Sequence, residues 1–225
     1  MSVLLSSAQQ WPNAVLPPHA LHLSGLSLSR GKTVLFAGLD IDISGGDLLW
    51  VGGDNGIGKS SLLRLITGLL PADTGSLHWS LNGVPCLPQD LIAYQGHNDA
   101  FKSLHTPREA LVFWAQVMKK SGPIDELLDE IGLSRQSGIA CAALSAGQKR
   151  RLSLGRLLLS QKAVWVLDEP TAAMDTDGVA LIEEMIGRHL ARGGSAVIAS
   201  HHAPQISGQR TRQLILKAAS KAARS

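Results

Sequence analysis

Three stretches of this 225-residue chain carry side chains that could act together on a phosphate. The first is Gly53-Asp54-Asn55-Gly56-Ile57-Gly58-Lys59-Ser60. Its glycines let successive backbone N–H groups turn inward on phosphate oxygens, and a helix starting near Ser60 adds its positive end. Lys59 is long enough to reach the β- and γ-phosphates of a nucleoside triphosphate, and the Ser60 hydroxyl suits a Mg2+ ion. The second stretch is Val164-Trp165-Val166-Leu167-Asp168-Glu169, an apolar strand ending in two acids. Phosphoryl transfer to water needs one carboxylate near the metal and one group that orients the water; Asp168 suits the first role and Glu169 the second. The third is Leu144-Ser145-Ala146-Gly147-Gln148. It has two readings. Ser145 and Gln148 fit a capping box that merely starts a helix. The same helix-start N–H groups, with the Ser145 hydroxyl and Gly147, also make a second anion cradle.

These groups need elements to position them. A short apolar run at 48–51 enters the glycine loop and helical spacing follows at 60–70, which is the strand–loop–helix order of a phosphate-binding unit. Residues 20–51 alternate short apolar strands with turns at 29–32 and 44–47, and 77–84 reads as another hairpin strand. Residues 98–143 change to helical character. Thr106-Pro107-Arg108-Glu109 is a helix start, with Thr as cap, Pro in the first turn and Glu completing a capping box. Helices are expected at 110–119, 124–131, 145–160 and 177–191, and buried strands at 163–167 and 195–200. The expected division is a flexible leader at 1–19, broken by Pro17 and Pro18, a main domain at 20–204 with an inserted helical subdomain at about 98–160, and a basic tail at 205–225.

Composition narrows the class. Hydrophobic residues make up 44% and charged residues 17%, with a net charge of +3. That is globular composition without the dense basic stripe of a nucleic-acid binder. Arg210, Arg212, Lys217, Lys221 and Arg224 form a run without acids, read as a solvated end, with contact to anionic lipid as the other option. Cys86 and Cys141 lack metal or disulfide spacing and fit a reducing compartment. No apolar run approaches the roughly 20 residues that span a bilayer. The start of the chain has no basic n-region, so no secretory signal and no direct membrane insertion are expected.

The ordered set GDNGIGKS, LSAGQ, VWVLDEP, AAMD and SHH resembles the nucleotide-binding domain of ABC transporters, over about residues 21–204. The resemblance implies an α/β fold: a P-loop NTPase core with an antiparallel β subdomain and an inserted helical subdomain. It implies ATP and Mg2+ as cofactors. Gly53, Asp54, Asn55, Gly56, Gly58, Lys59, Ser60 and Ser61 would bind nucleotide, Ser60 and Asp168 would hold the metal, and Lys59, Glu169 and His201 would be catalytic. Asp175, in Ala172-Ala173-Met174-Asp175, would lie at a dimer contact, and His202 is left as structural. Two copies would pack head to tail, with ATP between the glycine loop of one and Ser145, Gly147 and Gln148 of the other, beneath membrane permease subunits. The sequence departs from the family where a glutamine is usual: Tyr94-Gln95-Gly96-His97 offers Gln95, as a metal-shell group, or His97. The adenine-stacking aromatic is missing around 26–32, and Arg30 is the substitute, since guanidinium planes stack on flat rings.

These departures, with Glu109-Ala110-Leu111-Val112-Phe113-Trp114 and the LSAGQKRRLSLGRLLLS segment, are similar to one branch: the ATP-binding subunits of the Ccm cytochrome c biogenesis complex, the haem exporter. That implies haem export or release of a haem chaperone, Ccm-type membrane partners, and a place on the cytoplasmic face of the bacterial inner membrane. The alternatives are an ABC ATPase serving another small-molecule cargo, or a non-transport ABC protein acting on nucleic acid or ribosomes. Proteins of the last kind usually carry two cassettes or a long coiled-coil insertion, and neither is present.

Overall fold

A computed structural model describes residues 14–97, 101–206 and 210–217. The chain runs through β1 (His19–Arg30), β2 (Thr33–Ser44), β3 (Asp47–Gly52), α1 (Lys59–Ile66), β4 (Thr74–Leu81), β5 (Val84–Pro85), α2 (Pro88–Leu91) and β6 (Ile92–Gln95). It continues with α3 (Pro107–Val117), α4 (Ile124–Glu130), α5 (Ala146–Ser160), β7 (Val164–Asp168), α6 (Thr176–Ala191), β8 (Ser195–Ala199) and β9 (Arg210–Ile215). Two sheets result among the described residues. One is antiparallel with order β2-β1-β4-β5, and the other is parallel with order β6-β7-β8-β3-β9.

The parallel strands are near-continuous apolar runs because both faces are covered. Alternation along β7 shows this. Val164 and Val166 join the core under α1 and the antiparallel sheet, while Trp165 and Leu167 join the core under α3 to α6. On β8, Val197 and Ala199 take the first side and Ala196 and Ile198 the second. The α/β expectation therefore holds, with the antiparallel sheet packed on one side and the helical segment on the other.

The expected capping box at Thr106 forms: its hydroxyl accepts from the Glu109 N–H at 3.2 Å, and the Glu109 carboxylate accepts from the Thr106 N–H at 2.8 Å. Several boundaries differ from expectation. The helix after the glycine loop stops at Ile66 rather than 70, because the N–H groups of Leu69 and Leu70 turn back to the Arg64 carbonyl. The strand expected over 77–84 breaks at Asn82 and Gly83, which close the β4–β5 hairpin. The leader is not loose throughout: Leu16 is buried, its N–H donates to Arg192 O at 2.8 Å, and Arg192 Nε donates to Ala14 O at 2.9 Å. Residues 1–13 lie outside the described residues.

The basic tail is the larger correction. Arg210–Ile215 forms β9, in parallel register with β3 from Asp47↔Arg210 to Gly52↔Ile215. Alternating apolar residues Leu214 and Leu216 pack into the core, so this segment is not a solvated end. Arg212 donates to Asp42 O at 2.7 Å and lies 3.9 Å from the Asp47 carboxylate. Lys221 and Arg224 lie outside the described residues.

Candidate active site

The glycine loop joins β3 to α1, and its conformation explains its composition. Gly53 has φ 135° and Gly58 φ 115°, both in the region that L side chains rarely adopt. A Cβ on Gly53 would sit 2.7 Å from the Leu216 carbonyl oxygen, just past β9. Gly58 caps α1 with no side-chain hydrogen bond, which leaves first-turn N–H groups to face a ligand. Lys59 is buried and its Nζ donates to Gly53 O at 2.7 Å and to Asp54 O at 3.4 Å. An ammonium has three donors, so it can keep a loop carbonyl and still meet phosphate oxygens.

Beside this loop lies a cleft of about 480 Å³. It is lined by Arg30, Asn55, Gly56, Gly58, Lys59, Ser60, Ser61, His97, Asp168, Glu169, Ala172 and His201. Positions from β1, the glycine loop, the β6 end, the β7 end and the β8 end are thus brought together. A parallel sheet places ligands beyond the carboxyl ends of its strands, which is where all of these positions but Arg30, from the antiparallel sheet, stand. Asp168 is buried at the end of β7. Glu169 has φ 49°, unusual for a non-glycine residue, and its N–H donates to Ala199 O at 2.8 Å. That turn directs its half-buried side chain into the cleft, where a carboxylate oxygen is 3.7 Å from His201 Nε2. Trp50 on β3 donates its indole N–H to Ser200 O at 3.2 Å and to Ser200 Oγ at 3.1 Å, which fixes the end of β8 just before His201.

Gly53 and Asp54 do not line the cleft; their carbonyls hold Lys59 instead. Arg30 is exposed at the cleft edge. Gln95 and His97 part ways. His97 is exposed and lines the cleft, whereas Gln95 is fully buried and both polar atoms of its amide lack a hydrogen-bond partner among the described residues. A buried, unpaired amide is costly unless a ligand or water completes it.

Ser145, Gly147 and Gln148 do not line this cleft. The capping box is real: Ser145 Oγ accepts from Gln148 N–H at 3.2 Å, and the Gln148 side-chain oxygen accepts from Ser145 N–H at 2.9 Å. Both readings of the segment are compatible, since the box uses few of the N–H groups at this exposed helix start. Gly147 packs close to the backbone of the segment after β7, its Cβ position lying 3.3 Å from Ala173 O. Asp175 caps α6, accepting from Gly178 N–H at 2.9 Å.

Sequence reasoning missed Trp50 and Arg150. Arg150, buried on α5, donates to the carbonyls of Gly96, His97, Asp168 and Glu169. A signal existed: Lys149, Arg150 and Arg151 put positive charge near a helix N-terminus, where it is unfavourable without partners.

The family profile described as ABC transporter matches residues 36–172. The chain belongs to the ABC transporter family. Members of this family are ATPases, and this chain is one. The cytochrome c biogenesis ATP-binding export protein CcmA of Dechloromonas aromatica is 38% identical, over 87% of this chain and 99% of that protein. The proteins of the same description from Paracoccus denitrificans (41% identical, 80% of this chain and 82% of that one) and Haemophilus influenzae (37%, 81% and 89%) are also similar. Among solved structures, one described as an ABC transporter ATP-binding protein from Pyrococcus furiosus superposes with TM-score 0.74 at 23% identity, covering 87% of this chain and 97% of its own. An inward-facing ABC transporter of metal-chelate type gives TM-score 0.72 at 21% identity, covering 89% and 80%. These two support the P-loop ABC ATPase fold. As an ABC transporter ATP-binding subunit the chain binds nucleotide and works with membrane subunits. Among the described residues no helix is long and apolar enough to cross a membrane.

Proposed function

We propose that this ABC ATPase powers haem export, or release of a haem chaperone, in cytochrome c biogenesis. It would act as a head-to-tail pair on the cytoplasmic face of the bacterial inner membrane, under Ccm-type membrane subunits. One observation carries the mechanistic part: Lys59, Ser60, Asp168, Glu169 and His201 line a single cleft that the LSAGQ cradle does not reach. A second chain would bring its Ser145, Gly147 and Gln148 to the nucleotide and complete the site. The near full-length similarity to the cytochrome c biogenesis export proteins supports the cargo.

The loop amides and Lys59 would hold the phosphates, Arg30 would lie against the adenine, and His201 would meet the γ-phosphate. Glu169 would orient the attacking water, and most of the rate gain would come from positioning and charge. The donor set also fits Mg2+. Ser60 supplies a hydroxyl, Asp168 a carboxylate and Gln95 an unpaired amide on the neighbouring strand, while no cluster of three His, Cys, Asp or Glu gathers among the described residues. Few protein ligands, with phosphate and water oxygens for the rest, are what Mg2+ prefers. When bound it would neutralise charge on the β- and γ-phosphates.

Glu169→Gln should keep ATP binding, lose nearly all turnover and accumulate as an ATP-held dimer in size-exclusion chromatography. Wild-type hydrolysis in that variant would remove Glu169 from its role. For the cargo, the tagged chain is isolated from membranes in mild detergent and the haem absorbance followed. Ccm-type subunits with haem, or a haem carrier released on ATP addition, are expected; recovery of an unrelated permease would discard the haem assignment.

A further inference from the structure

The guanidinium of Arg150 sits between the ends of two neighbouring strands. One nitrogen donates to Gly96 O at 3.0 Å and His97 O at 3.4 Å, past β6. The other donates to Asp168 O at 3.2 Å and Glu169 O at 2.9 Å, past β7. The side chain is 5% exposed, so these bonds form in a poorly solvated place where they are strong and costly to lose. Only the planar fork of arginine presents donors to both strand ends at once; a lysine ammonium is compact and cannot span them.

The carbonyl of Glu169 matters most. This residue holds a left-handed backbone, with its N–H fixed to Ala199. A conformation of that kind persists only when its surroundings over-determine it. Arg150 supplies that restraint from the carbonyl side. It does so from α5, the helix whose first residues form the LSAGQ cradle.

We propose that Arg150 is a positioning residue for ATP hydrolysis, tying the direction of the Glu169 carboxylate to the seat of α5. The helix that carries the cradle for one nucleotide thereby sets the water-orienting group for the other. This rests on the assignment of Glu169 above.

The test uses Arg150→Lys and Arg150→Gln in the full chain, purified with the membrane subunits that co-isolate with it. ATP turnover, KM for ATP, binding of a fluorescent ATP analogue and the thermal midpoint are measured. Turnover should fall about 10- to 100-fold while KM and analogue affinity stay unchanged, since misplacing a reacting group by a fraction of its reach costs that much. Arg151→Lys, one position along, serves as control with unchanged turnover; its side chain bonds Gly132 O within the helical segment. Unchanged turnover in both Arg150 variants would overturn the proposal. So would a fall in analogue affinity and thermal midpoint in step with turnover, which would mark Arg150 as structural. Glu169→Gln in parallel separates the two ideas. If it keeps turnover, the Glu169 assignment falls; if it loses turnover and neither Arg150 variant does, only the brace falls.

Discussion

Lys59 shows how a residue can be both buried and available. Its ammonium rests on two loop carbonyls, so the charge is partly solvated by the loop before any phosphate arrives. If Lys59 meets phosphate as proposed, Lys59→Ala would remove a charge-assisted bond, and nucleotide affinity should drop about 10- to 100-fold. A titration with fluorescent ATP measures this, and an unaltered affinity would contradict the phosphate-binding reading. Another residue-scale prediction concerns Gly194, in the turn between α6 and β8. A Cβ there would lie 2.4 Å from His189 Nε2. That ring has nowhere to go: it stacks on Trp165 with centroids 4.0 Å apart, and Nε2 bonds Ser195 O at 3.2 Å. Gly194→Ala should cost about 1–3 kcal/mol, the usual penalty for overpacking a filled core, seen as a lower thermal midpoint.

At the scale of elements, what could be read in the sequence was whatever a local rule fixes. The glycine loop between an apolar strand and a helix, the box at Thr106, the box at Ser145 and the acidic end of β7 each depend on residues a few positions apart. Apolar runs such as 163–167 and 195–200 also read as buried strands, whereas elements with no such local signal were not readable. The segment Arg210–Ile215 looks basic and terminal, and becomes a strand only because β3 offers an unpaired edge and the core accepts Leu214 and Leu216. The same holds for Arg150, whose four carbonyl partners come from two strand ends far away in sequence. Apolar spacing continues to Leu70 and predicts a longer helix after the glycine loop, whereas the backbone closes on Arg64. An element-scale prediction follows from β9. Replacing Leu214 by Asp puts a charge against the core beside the glycine loop, and should weaken nucleotide binding as well as stability. Loss of stability with full nucleotide affinity would mean that β9 does not brace the loop.

For the whole molecule, acid is the expected weakness. Burial lowers the pKa of His189 to about 3, and burial lowers that of His19 as well. Both are more basic unfolded, near the ordinary 6.5, so the unfolded chain takes up protons that the folded chain refuses. Their contribution to stability is complete above pH 6.5 and is lost as pH falls below it, for His189 down toward about 3. Thermal midpoints measured down this range should decline, and His189→Phe, which keeps the stack on Trp165, should flatten the decline. An equal slope in that variant would place the acid sensitivity elsewhere. The sheet order β6-β7-β8-β3-β9 has a further consequence, for birth on the ribosome. The strand that carries the phosphate loop is made early, but both its neighbours, β8 and β9, are made last. A chain emerging from its N-terminus can fold the β1–β2 hairpin at once, whereas β3 has no partner in its own sheet until β8 emerges, more than 140 residues later. The nascent protein should therefore not grip a nucleotide before residues 195–215 have emerged, and ribosome-bound chains halted before residue 195 should not be retained on immobilised ATP.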